Sequence, residues 1–263
     1  MGKLDGKVII VTGGAGGIGR GACRLLAEEG AAVVVADLPQ AEPGTLADHL
    51  KDDGFRAIST EVDISVEEQV ESMVAATIDA LGHVDGLFAN AAATDQARDD
   101  GKLDVLPRVN FERQFQVNVI GTWLCCKAVI PPMIARGGGS IVATSSGAAT
   151  HADDRHSAYG ITKAAVNQLV STVATQFGKQ GIRANTIMPG LILHHWTSQM
   201  PEEFKQLMLE TVLTPKLGDP RSVASLAAYL FSDDAAYVQG QAIHVDGGMH
   251  VHVPQLGTTR YHM

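Results

Sequence analysis

The segment Thr12-Gly13-Gly14-Ala15-Gly16-Gly17-Ile18-Gly19 constrains this chain more than any other. It follows a β-branched run of strand length, residues 7–12, and opens an amphipathic stretch of helix length, residues 17–29. A strand that turns through glycines into a helix gathers free backbone N–H groups at the positive end of the helix dipole. The missing Cβ atoms let an anion such as a pyrophosphate approach the backbone. The segment fits G-x-G-x-x-G on Gly14, Gly16 and Gly19, and equally T-G-x-x-x-G-x-G on Thr12, Gly13, Gly17 and Gly19. Asp37 lies 18 residues past Gly19, at the end of the next apolar run, 31–36. A carboxylate there accepts both ribose hydroxyls of a dinucleotide and repels a 2′-phosphate. Leu38 follows it, and neither Ala15 nor Gly16 adds positive charge, so the expected cofactor is NAD rather than NADP. Asp63, in Val62-Asp63-Ile64, ends a later run and is a candidate acceptor for the adenine amino group.

The same alternation continues to residue 245. Apolar runs at 84–89, 141–145, 183–188 and 242–245 read as strands, and 55–62 as a weaker, alternating one. Runs apolar at every position are buried on both faces, as in a parallel sheet. Between them lie helix candidates at 45–52, 66–81, 111–130, 158–177 and 221–231. Ser65 with Glu68 three residues on predicts a capping box. Gly30 and Gly82 stand where helices end, and Pro131-Pro132 predicts an end or kink in the helix before them. With no linker between the units, the expectation is one α/β domain over residues 1–263, a doubly wound, mostly parallel sheet of Rossmann type. Residues 94–110 and 191–218 break the rhythm, and such excursions are where these folds keep functional loops.

Tyr159 and Lys163 are four residues apart at the start of a helix and share one face. An ammonium near a phenol favours the phenolate, and a phenol of lowered pKa serves as a general base. Ser145 and Ser146 close the strand upstream, at the edge of the sheet that faces the ligand crevice.

Taken together, these marks resemble the short-chain dehydrogenase/reductase family in its single-domain form, over residues 5 to about 248. They are the glycine turn, Asp37, Asp63, Asn90-Ala91-Ala92, Asn118, Ser146, Tyr159-Gly-Ile-Thr-Lys163, Pro189-Gly190 and Asp246-Gly247-Gly248. The resemblance implies that Tyr159 is the acid/base group, that Ser146 orients the substrate oxygen, and that Lys163 lowers the tyrosine pKa and binds the nicotinamide ribose. Ser146 is preferred to Ser145 because the family's serine stands thirteen residues before its tyrosine. Asn118 would help hold a water for proton relay. The implied cofactor residues are Gly13, Gly16, Gly17, Ile18, Gly19, Asp37, Asp63, Ile64, Asn90, Ala91, Ala92, Tyr159, Lys163, Pro189, Gly190, Ile192 and His194. Two departures stand out. Ala92 replaces the glycine of the family's Asn-Ala-Gly. His194 stands five past the proline, where the family usually has a threonine bonding the nicotinamide amide; either His194 or His195 takes that role, or a shifted loop offers a backbone group instead.

The resemblance makes 191–218 a lid over the substrate. Its Leu191, Ile192, Leu193, Trp196, Met200, Phe204, Met208 and Leu209 point to a hydrophobic secondary alcohol, such as a steroid, terpenoid or aromatic one, unless they only pack the lid onto the body. Ser146, His151, Tyr159, Leu191 and Trp196 are the expected substrate contacts. His151, Asp153, Asp154, Arg155 and His156 form a charged rim near the catalytic mouth. The tail, 249–263, carries His250 and His252, which with His244 or His262 offer metal ligands. No cysteine or carboxylate cluster supports them, so no metal is expected. With 20 basic and 29 acidic residues, a net charge of −9, and no basic tract, nucleic acid is not an expected partner. No uninterrupted apolar run approaches a bilayer's thickness and no leader precedes the first strand, so no membrane partner is expected. The cysteines, Cys23, Cys125 and Cys126, form no disulfide framework and suit the cytoplasm. The helices at 111–130 and 158–177 are apolar on more than one face, which with the resemblance implies a homotetramer. Three other readings share these residues: a ring-diol (dihydrodiol-type) dehydrogenase, a ketoacyl reductase and a catalytically silent NAD-binding protein.

Overall fold

The computed structural model describes residues 2–93, 100–152 and 154–252; Asp153, the stretch 94–99 and the tail from 253, His262 included, lie outside the described residues. Strands β1 (Val8–Thr12), β2 (Ala32–Asp37), β3 (Ala57–Glu61), β4 (Gly86–Ala89), β5 (Gly139–Thr144), β6 (Ile182–Pro189) and β7 (Ala242–Val245) form one parallel sheet in the order β3-β2-β1-β4-β5-β6-β7. Successive side chains of a strand point to opposite faces, and β1 shows what that requires. Val8 and Ile10 pack into the apolar core on one face, Ile9 and Val11 into the core on the other. The fully apolar runs read from the sequence are thus strands covered on both sides. β3, at the sheet edge, keeps the weaker alternation: Ala57 and Ile58 reach the cores on its two faces, and Ser59 and Glu61 are exposed.

Helices α1 (Gly17–Glu28), α2 (Pro43–Asp52) and α8 (Pro220–Phe231) cover one face, and α3 (Glu67–Leu81), α5 (Thr122–Ala135) and α6 (Ser157–Phe177) cover the other. α4 (Arg108–Phe115) runs into α5 through a wider π-helical turn, Gln116–Gly121. α7 (Glu202–Glu210) lies in the predicted lid, where the sequence reading assigned no helix. Strand order reverses between β1 and β4, so the crevice at the switch point is bordered by the residues after Thr12 and Ala89.

Three expectations are corrected. The capping box on Ser65 and Glu68 does not form. Ser65 instead donates its N–H and hydroxyl to Asp63 at 2.9 and 2.6 Å, and α3 starts without a side-chain cap. A capping box does form on α8, between Asp219 and Ser222. Pro131 and Pro132 do not end their helix, which continues to Ala135. Finally, the helical run 108–135 is long and apolar enough to cross a bilayer. Polar residues interleaved along it hid this from a search for uninterrupted apolar runs. In the fold, 56% of its apolar window is buried inside the protein, with Leu124, Cys125, Val129 and Met133 against the sheet. Gly82 and Gly30 do close their helices, at φ of 91° and 100°.

Candidate active site

The glycine turn joins β1 to α1 as its sequence requires. Gly13 takes a φ of 65°, open to glycine at little cost. A Cβ on Gly19 would stand 2.0 Å from the Gly13 carbonyl oxygen, so only glycine lets the helix start so close to the strand. A Cβ on Gly16 would meet nothing nearer than 3.6 Å, and its N–H donates to the Gly13 carbonyl at 3.3 Å. Asp37 closes β2, and its carboxylate accepts the Ala15 and Leu38 N–H groups at 3.0 and 2.8 Å. Burial pushes its pKa up, against those backbone hydrogen bonds. The glycine backbone at the start of α1, with a carboxylate beside it, is a donor and acceptor set that fits a dinucleotide.

The other expected cofactor residues divide. Asn90 ties the crevice wall together: its Nδ2 donates to the Thr12 and Gly13 carbonyls at 3.2 and 3.3 Å, and its Oδ1 accepts from Thr144 Oγ1 at 3.0 Å. Ala91 closes against the turn, its Cα 2.9 Å from where a Gly13 Cβ would be. Ala92 is half-buried beside them, and Ile18 packs partly on the core below α1. Asp63 spends one carboxylate oxygen on its own turn, with Arg113 at 3.9 Å from the other. The Ile64 side chain is buried in the core, where Gly121 must lack a Cβ to pass it. Ile192 is buried as well, whereas Pro189 and Gly190 lead off the end of β6, the Gly190 N–H bonded to the Val245 carbonyl at 3.1 Å. The His194 ring lies directly over Gly17, 2.5 Å from the Cβ that residue lacks. It therefore covers the N-terminus of α1. Burial, then His195, lowers its proton affinity.

The two serines part company. Ser145 is buried and its hydroxyl donates to the Lys163 carbonyl at 3.0 Å, a structural tie. Ser146 accepts from the Ala148 N–H at 3.2 Å and lies near enough to the Tyr159 phenol to pull its pKa down. Lys163 is 2% exposed, its Nζ donating to the Thr144 carbonyl at 2.8 Å and standing 5.7 Å from the centre of the Tyr159 ring. Burial pushes the phenol up, with Ser146 pulling only partly against it, and pushes the Lys163 ammonium down to about 8. Desolvation penalises both charged forms.

Asn118 sits in the π-helical turn. It accepts the Ala93 N–H at 2.9 Å and donates to Thr162 Oγ1 at 3.0 Å, linking the chain after β4 to the residue before Lys163. Asp100, unremarked in the sequence, caps α6 from outside the helix: it accepts the Ala158 and Tyr159 N–H groups at 3.1 and 2.8 Å. Nothing in its local sequence marks a cap delivered from 58 residues away. Of the expected substrate residues, His151 is exposed on the rim, Leu191 is half-buried, and Trp196 is 62% exposed with its ring edge-on to His195.

Comparison with known proteins adds the context. Residues 13–250 match a family model described as Enoyl-(Acyl carrier protein) reductase. A 7alpha-hydroxysteroid dehydrogenase of Bacteroides fragilis is 35% identical over 97% of this chain and 99% of its own length. One from Escherichia coli is 33% identical over 94% of this chain and 95% of its own. A solved 7 alpha-hydroxysteroid dehydrogenase complexed with NADH and 7-oxo glycochenodeoxycholic acid superposes with a TM-score of 0.87 at 33% identity, covering 97% of both chains.

Proposed function

The chain belongs to the short-chain dehydrogenase/reductase family, and on that premise we propose that it is an NAD-dependent dehydrogenase of hydrophobic secondary alcohols. A steroid alcohol is the leading class. The observation that carries this reading is the buried Lys163 amine, held by the Thr144 carbonyl 5.7 Å from the Tyr159 ring, with Ser146 at the end of β5 beside it. A protein that only binds a dinucleotide has no need of that set.

When bound, NAD supplies the hydride acceptor. The chain's own groups do the rest. The Tyr159 oxygen takes the hydroxyl proton in oxidation and returns one in reduction. Ser146 holds the substrate oxygen against it. The buried Lys163 amine lies behind the ring, where a ribose hydroxyl can reach it. Asn118, fixed by Ala93 and Thr162, keeps α6 in register with the wall after β4. Asp37 accepts the ribose hydroxyls, and the N-terminus of α1 receives the pyrophosphate. Holding both reactants in this geometry removes their relative freedom, which accounts for much of the rate.

The lid supports an apolar substrate. Trp196, Met200, Phe204, Leu207 and Leu213 are exposed rather than packed onto the body. Such a surface is spent on a ligand or a neighbouring copy. Ile120, Trp123 and Ile161 are exposed on the helical face that α5 and α6 share, which fits a homotetramer. Three free, buried cysteines suit the cytoplasm. Dihydrodiol oxidation uses the same catalytic set and is the second reading. The test supplies NAD or NADP with steroid, terpenoid, aromatic and ring-diol alcohols and follows nicotinamide absorbance. Turnover with NAD and a steroid alcohol is expected. Turnover with NADP alone would overturn the cofactor assignment, and turnover with the diols alone the substrate.

A further inference from the structure

Beyond the crevice, the end of β7 gathers two imidazoles and a carboxylate. His244 is in the strand and Asp246 just past it. Gly247 and Gly248, at φ of 65° and 85°, then reverse the chain. The reversal lays the His250 ring on the His244 ring, centroids 3.4 Å apart and planes within 11°. Asp246 Oδ2 stands 2.7 Å from His250 Nδ1 and 3.6 Å from His244 Nδ1, and the three donor atoms lie within 4.8 Å of one another. Ligands around a tetrahedral zinc are about 3.3 Å apart, a spacing these two distances bracket, and the stacked rings need to turn only about their side-chain bonds to bring their in-plane lone pairs onto one ion. Among the described residues, this is the one group of three such side chains so placed.

We propose that His244, Asp246 and His250 form a binding site for a divalent transition cation of the zinc class, separate from the hydride-transfer groups. His244 Nδ1 is the second observation behind it: a buried nitrogen without a hydrogen-bond partner. A buried polar atom left unpaired is costly, and a metal is a partner it can take. Two imidazoles and one carboxylate suit zinc, cobalt or nickel; magnesium and calcium ask for oxygen ligands. Three protein ligands leave a fourth position for water. The carboxylate is already oriented for the task, since Asp246 also accepts the Gly248 and His250 backbone N–H groups at 2.9 and 3.1 Å.

The sequence reading found the histidines but no carboxylate among them, because Asp246 belonged to a different mark. The fold also shows what a cation would brace. The Gly247 carbonyl accepts the Leu213 N–H at 2.7 Å at the base of the lid. A Cβ on Gly190 would stand 3.0 Å from the Asp246 Cβ, so the cluster backs directly onto the entry to the lid.

The test is titration of chelator-treated full-length protein with zinc sulfate by calorimetry, with melting temperature and cobalt(II) absorbance followed in parallel. Wild type is expected to bind one zinc per chain, to melt higher with zinc, and to give visible cobalt bands. His244→Ala and His250→Ala should each weaken zinc binding at least tenfold, and His252→Ala should not. Each variant's melting temperature without metal shows that it is folded. No binding at one per chain, equal binding by the two ligand variants, or preference for magnesium would overturn the site.

Discussion

The carboxylate of Asp100 accepts the backbone N–H of Tyr159 at 2.8 Å across 59 residues of chain. It accepts the neighbouring Ala158 N–H as well, and so satisfies two of the donors that a helix start leaves open. The residue before α6, His156, provides no side-chain cap of its own. Position of the acid/base group therefore depends on a loop outside its helix. Asp100→Ala is expected to cost about 1 kcal/mol of stability and to lower kcat while leaving the affinity for NAD unchanged. Denaturant melts and steady-state kinetics check both. An unchanged kcat would mean that Tyr159 is held in place without this cap.

Cofactor choice rests on Asp37. Asp37→Ser removes the acceptor for two ribose hydroxyls and the charge that repels a 2′-phosphate. We expect kcat/KM with NAD to fall about 10- to 100-fold, the worth of a hydrogen bond to a charged group, and kcat/KM with NADP to rise. Kinetics with both cofactors measure the change. A fall with both would mean that Asp37 serves the turn alone, through Ala15 and Leu38.

His194 stands over Gly17, at the helix end proposed to receive the pyrophosphate. Burial and His195 hold its proton affinity below the ordinary histidine value, so the ring is neutral at neutral pH and gains charge only on the acid side. A cation there attracts the anion. NAD affinity measured from about pH 8 to about pH 5 is expected to rise toward acid in the wild type and to stay flat in His194→Thr. Identical curves would remove His194 from the cofactor site.

Lys163 carries a stability cost that pH reveals. Burial brings its pKa from 10.5 in the ordinary case to about 8 in the fold. Between those values the unfolded chain holds the proton more firmly, so stability rises with pH across the window. Below it, the buried charge costs roughly 3 kcal/mol. Lys163→Met is expected to be more stable than wild type near neutrality, with the advantage shrinking as pH rises above about 8. Paired melts across that range test the sign. A constant difference would show that the amine is neutral, or that its charge is solvated, throughout.

How much of this was legible in the sequence follows from where the physics is local. The central strands were readable because they are short apolar runs covered on both faces, and the glycine turn because its backbone excludes a Cβ at Gly13 and Gly19. The catalytic face of α6 was readable because four residues make one helical turn. α7 was missed because none of its residues is buried, so no core-facing stripe marked it. The Ser65 cap failed because Asp63, two residues away, competed for the same hydroxyl. Burial raises the Tyr159 phenol and lowers the Lys163 ammonium, and burial is not a property of spacing. Asp100 and the cluster at His244, Asp246 and His250 were hidden for one shared reason. The first bridges distant segments, and the second needs a glycine reversal to fold back on its strand.

The central claim is that Tyr159 carries the proton. Its pKa is raised by burial, so oxidation in the wild type should quicken toward alkaline pH, where the phenolate forms, and ketone reduction should slow. Tyr159→Phe with NAD and a hydroxysteroid is the most direct measurement. The account predicts a fall in turnover of about 100- to 10,000-fold, the usual contribution of general acid/base catalysis, with NAD binding by calorimetry unchanged. Turnover within a few-fold of wild type, at the same NAD affinity, would contradict it.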